Sequence, residues 1–442
     1  MDKFSKQAKK AVDLILNTNQ HVFVTGKAGT GKSTLLEHIR LVAERRIIIL
    51  APTGISAVNV NGETIHSFFT LKPGFEKDEA KHMSLNKKKQ DKFRSIKTIA
   101  IDEISMVRAD LLDAVDIVLR RSRKNDKPFG GVQMVFFGDL YQLPPVITLN
   151  YKDKFFSEYK SPYFFDAEVF RGQSNMFAED FNVVRVELDQ IYRQSDKQFI
   201  DLLNAIRDNS IDSSQIQELN KQCKPSFTPP DSEKYIYLMT TNNSASKINE
   251  KKLQQLKGEE KIFLAEKTGK VAKNLYPNDE QLVFKVGAQV MFIYNDSERR
   301  WVNGTIGKII GISDGVDCDT GIVETTIKVE KNNGKVVEVK KHLWEISKYV
   351  FKDGEFVREN LGTFKQMPIK LAWAITIHKS QGKTFDKVII DLSTGSFAHG
   401  QTYVALSRCS SLSGLFLKRP LRKADIIMDK RVHDFASNIG IS

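Results

Sequence analysis

The stretch Gly26–Thr34, G-K-A-G-T-G-K-S-T, holds the residue types that a polyphosphate requires, in the order it requires them. Read as Gly-x4-Gly-Lys-Ser, it matches a phosphate-binding loop bracketed by Gly26 and Gly31 and closed by Lys32 and Ser33. Several backbone N–H groups must point inward, and glycine lets the chain curl that tightly. Ala28, Gly29, Thr30 and Thr34 complete the cradle. Lys32 would reach the β- and γ-phosphates, and the Ser33 hydroxyl would hold Mg²⁺. The ligand expected is a nucleoside triphosphate.

Asp102-Glu103 supplies the second part of that chemistry. Asp102 would hold Mg²⁺ through water, and Glu103 would orient and deprotonate an attacking water. Gln142, in Gly138-Asp139-Leu140-Tyr141-Gln142, would sense the γ-phosphate. Helix spacing does not commit Arg193 or Arg408 to a local acidic partner. If their domain faces the loop across a cleft, both reach the γ-phosphate as arginine fingers, a role worth ~10³–10⁵ in rate. Surface ion pairing is the alternative, and spacing alone does not choose.

These residues need strands and helices to hold them. His21–Thr25 is a β-prone run ending at Gly26, and Thr34–Ile39 has apolar residues at helical spacing. Arg46–Ala51, Ile96–Asp102 and Val132–Phe137 read as buried strands, with helices over 4–17 and 110–123. This alternation predicts a doubly wound α/β domain. A second α/β block is expected to open at Val183–Leu188, with a helix near Lys197–Arg207 and a strand at Tyr235–Thr240. From about 284 to 364 the chain reads as β only. Asn332-Asn333-Gly334 marks a hairpin, and a small barrel is expected there. The α/β pattern resumes near Ile369. Lys72–Arg94 is rich in lysine, which fits either a solvated insertion or an element beside a nucleic-acid channel.

The 442 residues are too many for one ordinary core. No apolar run approaches the ~18 residues of a membrane span, and the N-terminus lacks a signal-peptide core. Cys223, Cys318 and Cys409 are scattered, which argues against a disulfide framework or metal cluster and fits a reducing cytoplasm. Lys and Arg exceed Asp and Glu by 13, pointing to a polyanionic partner such as nucleic acid.

Taken in order, G-K-A-G-T-G-K-S-T, A-P-T-G, D-E-I-S, G-D-L-Y-Q-L-P-P-V, W-A-I-T-I-H-K-S-Q-G and Y-V-A-L-S-R resemble one family. The chain is similar to the Pif-type (petite-integration-frequency) helicases of superfamily 1B, relatives of the RecD-like translocases, in a compact bacterial or viral form. The resemblance implies two RecA-like domains (1–180 and 181–442) that bind ATP and Mg²⁺. It also implies a wedge-like insertion at 70–95 and an SH3-like barrel at 284–366. The implied activity is 5′→3′ travel along single-stranded DNA with unwinding of forked or tailed duplex. The resemblance leaves room for RNA–DNA hybrids and guanine quadruplexes as further substrates, and implies a role in genome maintenance.

Residue by residue, Gln7 matches the family's adenine reader. Gln142, Arg193, Gln381, Gly382 and Arg408 match its γ-phosphate sensors and coupling residues. Pro52, Thr53, His66, Thr376, His378 and Lys379 match its DNA groove. Phe68, Phe69, Phe75 and His378 are candidates for stacking or wedging, with ordinary core as the alternative for Phe68 and Phe69. A monomer in the bacterial cytoplasm or nucleoid is expected, with dimerisation on DNA as the alternative. An RNA-directed motor, or a translocase without robust unwinding, is the nearest competitor. A GTPase would need an Asn-Lys-x-Asp guanine reader, which is missing.

Overall fold

The computed structural model describes residues 4–43, 47–71, 77–171, 181–194, 196–230, 233–316, 323–352, 355–393 and 395–439. Lys72 and Phe75 lie outside them. The chain divides into two compact units.

The first unit is built on six parallel strands: β1 (His21–Gly26), β2 (Ile47–Ala51), β3 (Glu63–Thr64), β4 (Thr98–Ile101), β5 (Gln133–Phe137) and β6 (Val183–Leu188). Their order is β3-β2-β4-β5-β1-β6. Every residue of β2, β4 and β5 is buried, as strands covered on both faces require. Helix α1 (Lys6–Asn17) starts at Ser5, whose hydroxyl accepts the Ala8 N–H. It lays Ala8, Ala11, Val12 and Ile15 on the sheet beside Leu35, Leu36 and Ile39 of α2 (Lys32–Val42).

Strand β6 does not open the second block. It pairs with β1 from His21↔Val183 to Gly26↔Leu188 and completes the first sheet, and the first unit runs on to Tyr192. A strand–helix alternation shows that strands exist but not which sheet each one joins. Here β6 forms the edge beneath α1.

Short helices α3 (Gly54–Asn59) and α4 (Ile65–Phe69) follow β2 and β3. The lysine-rich interruption forms α5 (Lys77–His82) and α6 (Lys87–Arg94), held against α7 (Ala109–Arg123). Arg121 donates to the carbonyls of Ala80 and Met83 at 2.5 and 3.1 Å. Arg123 reaches those of Phe93, Arg94 and Ile96 at 2.6–3.1 Å, capping the end of α6. Residues 347–352, 355–360 and 429–439 also belong to this unit. Phe435 stacks on Phe165 with ring centroids 4.2 Å apart.

The second unit has a parallel sheet in the order Ala374–Thr376, Ile236–Met239, Val388–Asp391, Leu415–Leu417. Between its strands lies the expected all-β stretch, which starts earlier than 284, at Lys261–Leu264. Its largest sheet runs Val336–Val339, Val323–Lys331, Ile306–Val316, Gln289–Phe292, Ile369–Leu371. Phe284, Val290, Phe292, Trp301, Ile309, Ile327 and Val329 form its core. Gly334 takes the expected hairpin turn at φ +75°.

Candidate nucleotide and nucleic-acid site

Gly26 ends β1, Asp102 follows β4, Gly138 follows β5 and Pro52 follows β2. Because the strands are parallel, all four positions fall on the same edge of the sheet, where α/β folds bind ligands. A Cβ on Gly26 would lie 2.7 Å from the Leu188 carbonyl oxygen, so only glycine fits. Gly31 caps α2 from the left-handed region at φ +81°. The Lys32 ammonium folds back over the loop and donates to the carbonyls of Gly26 and Lys27 at 2.7 and 3.1 Å.

Asp102 is buried, and burial together with the neighbouring Glu103 carboxylate raises its pKa. The Glu103 N–H and the Lys32 charge act in the opposite direction. Glu103 itself sits at φ +48°, an unfavourable conformation for a residue with a Cβ. Gln142 is buried, and its amide donates to Asp139 at 3.3 Å. Gln7 lies half-buried in the first turn of α1.

The groove candidates of the first unit lie near the same edge. Pro52 is half-buried, and Thr53 is exposed with its hydroxyl capping α3 by accepting the Ser56 N–H at 3.2 Å. Burial lowers the His66 pKa, and the nearby Arg108 charge adds to that effect. Phe68 is not a stacking residue. It is wholly buried, as is Phe69, and it packs on Phe69, Phe93 and Tyr349 at centroid distances of 5.1–6.1 Å. The Lys92 ammonium lies 3.8 Å from the Phe68 ring centroid, and burial lowers its pKa to about 8.

In the second unit, the structure gathers four expected residues into one cluster. The Arg408 guanidinium is buried, donating to the carbonyls of Val404, Ser380 and Lys383 at 2.9–3.5 Å and to the Ser407 hydroxyl at 2.8 Å. Arg193 reaches the carbonyls of Ser407 and Gly382 over longer bonds of 3.4 and 3.3 Å. Gln381 is half-buried and Gly382 exposed. Thr376 is buried, its hydroxyl accepting the Lys379 N–H at 3.3 Å, while Lys379 is exposed and burial lowers the His378 pKa.

Two residues at these sites had not been singled out. The Tyr192 N–H donates to the Gly29 carbonyl at 2.9 Å, and a Cβ on Gly31 would lie 3.7 Å from its ring. Its place directly before Arg193 was the available signal. Asp139 holds Gln142 and accepts the Tyr141 N–H at 3.2 Å. Among the described residues no group of three His, Cys, Asp or Glu is arranged to hold a metal ion by itself. No described helix is long and apolar enough to cross a membrane.

A phosphate loop at the end of an interior parallel strand, a carboxylate pair two strands away and a second α/β unit define the phosphate-loop fold class of two RecA-like domains. Residues 3–217 match the family model described as PIF1-like helicase. The chain is 32% identical to the ATP-dependent DNA helicase Pif1 of Bdellovibrio bacteriovorus, over 98% of this chain and 91% of that protein. It is 36% identical to Bacteroides sp Pif1 in its crystal structure with ADP-AlF4, covering 98% of this chain and 96% of that one with a TM-score of 0.86. Against the Bacteroides enzyme in complex with ADP-AlF3 and ssDNA, identity is 35%, coverage is 98% and 96%, and the TM-score is 0.66. The chain belongs to the PIF1-like helicases, a family of ATP-dependent DNA helicases. It spans 66% of the Psychrobacter relative and 58% of the human one.

Proposed function

We propose that this chain hydrolyses ATP to travel 5′→3′ along single-stranded DNA and to unwind tailed or forked duplex. The observation that carries this reading is that buried Asp102 and half-buried Glu103 lie within reach of the Lys32 charge at the strand ends. Two adjacent carboxylates, one of them buried, form a donor set suited to a divalent cation, and Ser33 in the first turn of α2 adds a hydroxyl. Bound there, Mg²⁺ would neutralise charge on the β- and γ-phosphates. Lys32 would exchange its two carbonyl partners for phosphate oxygens, and Glu103 would orient the water and take its proton. Gln142, Arg193 and Arg408 would act on the γ-phosphate, with Gln381 and Gly382 in the same cluster. Gln7 would read the adenine.

Pro52, Thr53, His66, Thr376, His378 and Lys379 are the proposed strand contacts. Four of these, Thr53, His66, Thr376 and His378, are small or half-buried polar residues, which suits a grip on sugar and phosphate that ignores sequence. The DNA-bound and nucleotide-bound Bacteroides relatives support both ligands. ATPase assays with and without single strands, followed by unwinding of 5′-tailed against 3′-tailed duplex, test the reading. Stimulated hydrolysis with 5′-tail preference is expected. Hydrolysis indifferent to DNA, or a 3′-tail preference, would overturn it.

A further inference from the structure

The excess positive charge of this chain is not spread evenly. Residues 77–97 hold eight Lys or Arg against three Asp or Glu, while 261–366 hold seventeen against fifteen over five times the length. The all-β stretch also pairs many of its cations, among them Lys261 with Asp314 at 2.6 Å, Lys340 with Glu324 at 2.7 Å and Lys341 with Glu266 at 2.7 Å. By contrast, Lys87, Lys88, Lys97 and Lys124 are exposed and have no carboxylate partner among the described residues. Arg94 is exposed beside them, its Nε donating to the Ser122 carbonyl at 2.9 Å.

The scaffold keeps these charges together. Helix α6 buries Phe93 and turns Lys87, Lys88 and Arg94 to the opposite arc, with Asp91 the one acid among them. Arg123 ties the end of α6 to α7, and the residue after it, Lys124, is the C-cap of α7. The face therefore stays positive at fixed spacing without a ligand.

We propose that this face binds the phosphate backbone of double-stranded DNA, apart from the single-strand contacts. The choice of duplex rests on what the face lacks among the described residues. Binding of single strands combines cations with aromatic platforms that stack unpaired bases. Phe93, the only Phe, Tyr or Trp between 77 and 97, is buried, as are its partners Phe68 and Phe69. Cations without a platform suit a polymer whose bases already stack on each other, gripped by phosphate contacts alone. The region where a strand-separating wedge was expected then becomes a holder of the unopened duplex. This inference rests on the helicase reading for its substrate.

The test measures binding of the full chain to blunt duplex and to single strands across a salt series, for wild type and for Lys87→Glu/Lys88→Glu. Losing two phosphate contacts should lower the duplex slope of log K against log[salt] by about two and remove roughly tenfold of the salt sensitivity between about 50 and 200 mM. Single-strand affinity and single-strand-stimulated ATPase should stay at wild-type levels. Unchanged duplex binding, or equal losses for both polymers, would overturn the proposal. Lys124→Glu, outside the insertion, guards against a folding artefact and should give a loss of about one unit of slope in the same direction. A wild-type ATPase indifferent to single strands would count against the motor reading, while the duplex slopes would still decide this one.

Discussion

The phosphate loop of the first unit and the arginine cluster of the second hold their cations in the same way and for different ends. Lys32 donates to two carbonyls, and Arg408 to three carbonyls and a hydroxyl. These neutral acceptors take the N–H groups without themselves cancelling the charge. The difference is burial. Lys32 is half-buried at the mouth of the loop, while Arg408 is 1% exposed. Arg193 falls between them, with two long bonds that a better acceptor would displace. A buried cation holds the fold as well as any ligand, whereas one at the rim contributes less to the fold.

Substitutions can break that comparison. Lys32→Ala should bring steady-state ATP hydrolysis to background with little change in the urea midpoint, since the ammonium is half-buried and serves the loop rather than the core. Appreciable turnover in this variant would remove the loop assignment. Arg193→Ala should lower kcat roughly 10³-fold with little change in stability. Arg408→Ala should lose rate as well and also cost about 2–4 kcal/mol in urea unfolding, because buried carbonyls are left without a donor. A wild-type urea midpoint for Arg408→Ala would show that burial does not separate the two arginines.

What could be read beforehand followed the range of the forces involved. The phosphate loop was legible because its geometry is local: glycines that permit the turn, a strand before and a helix after. Asp102-Glu103 was legible because a buried strand precedes it. Phe68 was not, because its burial depends on Phe93 and Tyr349, which are distant in sequence and meet it only once α6 and residues 347–352 have docked on the first unit. The sheet membership of β6 was hidden for the same reason, as register with β1 is a tertiary fact. The cluster of Arg193, Gly382 and Arg408 was expected from resemblance alone, and nothing in the spacing of these residues implied it.

Phe68 offers the next test, between a residue that serves the fold and one that serves the ligand. Phe68→Ala should destabilise the first unit by about 3–5 kcal/mol, the usual cost of emptying an aromatic site. In the protein that remains folded at low temperature, single-strand affinity should be unchanged. A loss of DNA binding without loss of stability would return Phe68 to the groove.

The smallest effect expected concerns two threonines, one in each unit, that share a local geometry. Thr53 accepts the N–H of Ser56 and Thr376 that of Lys379, each three residues ahead. Both hydroxyls therefore help shape the backbone of a proposed strand contact, but Thr53 is exposed and Thr376 is 4% exposed. Thr53→Ala should cost about 1 kcal/mol, as the loss of a helix cap does, and Thr53→Ser should restore it. Single-strand affinity should fall in the alanine variant and recover in the serine one if the hydroxyl or the cap matters to the grip. At Thr376 the serine should recover less, because the buried methyl packs in the interior and its loss leaves a cavity. Equal behaviour of serine at both positions would mean that the two units hold their contacts alike, and that the difference in burial seen for Lys32 and Arg408 does not extend to the strand.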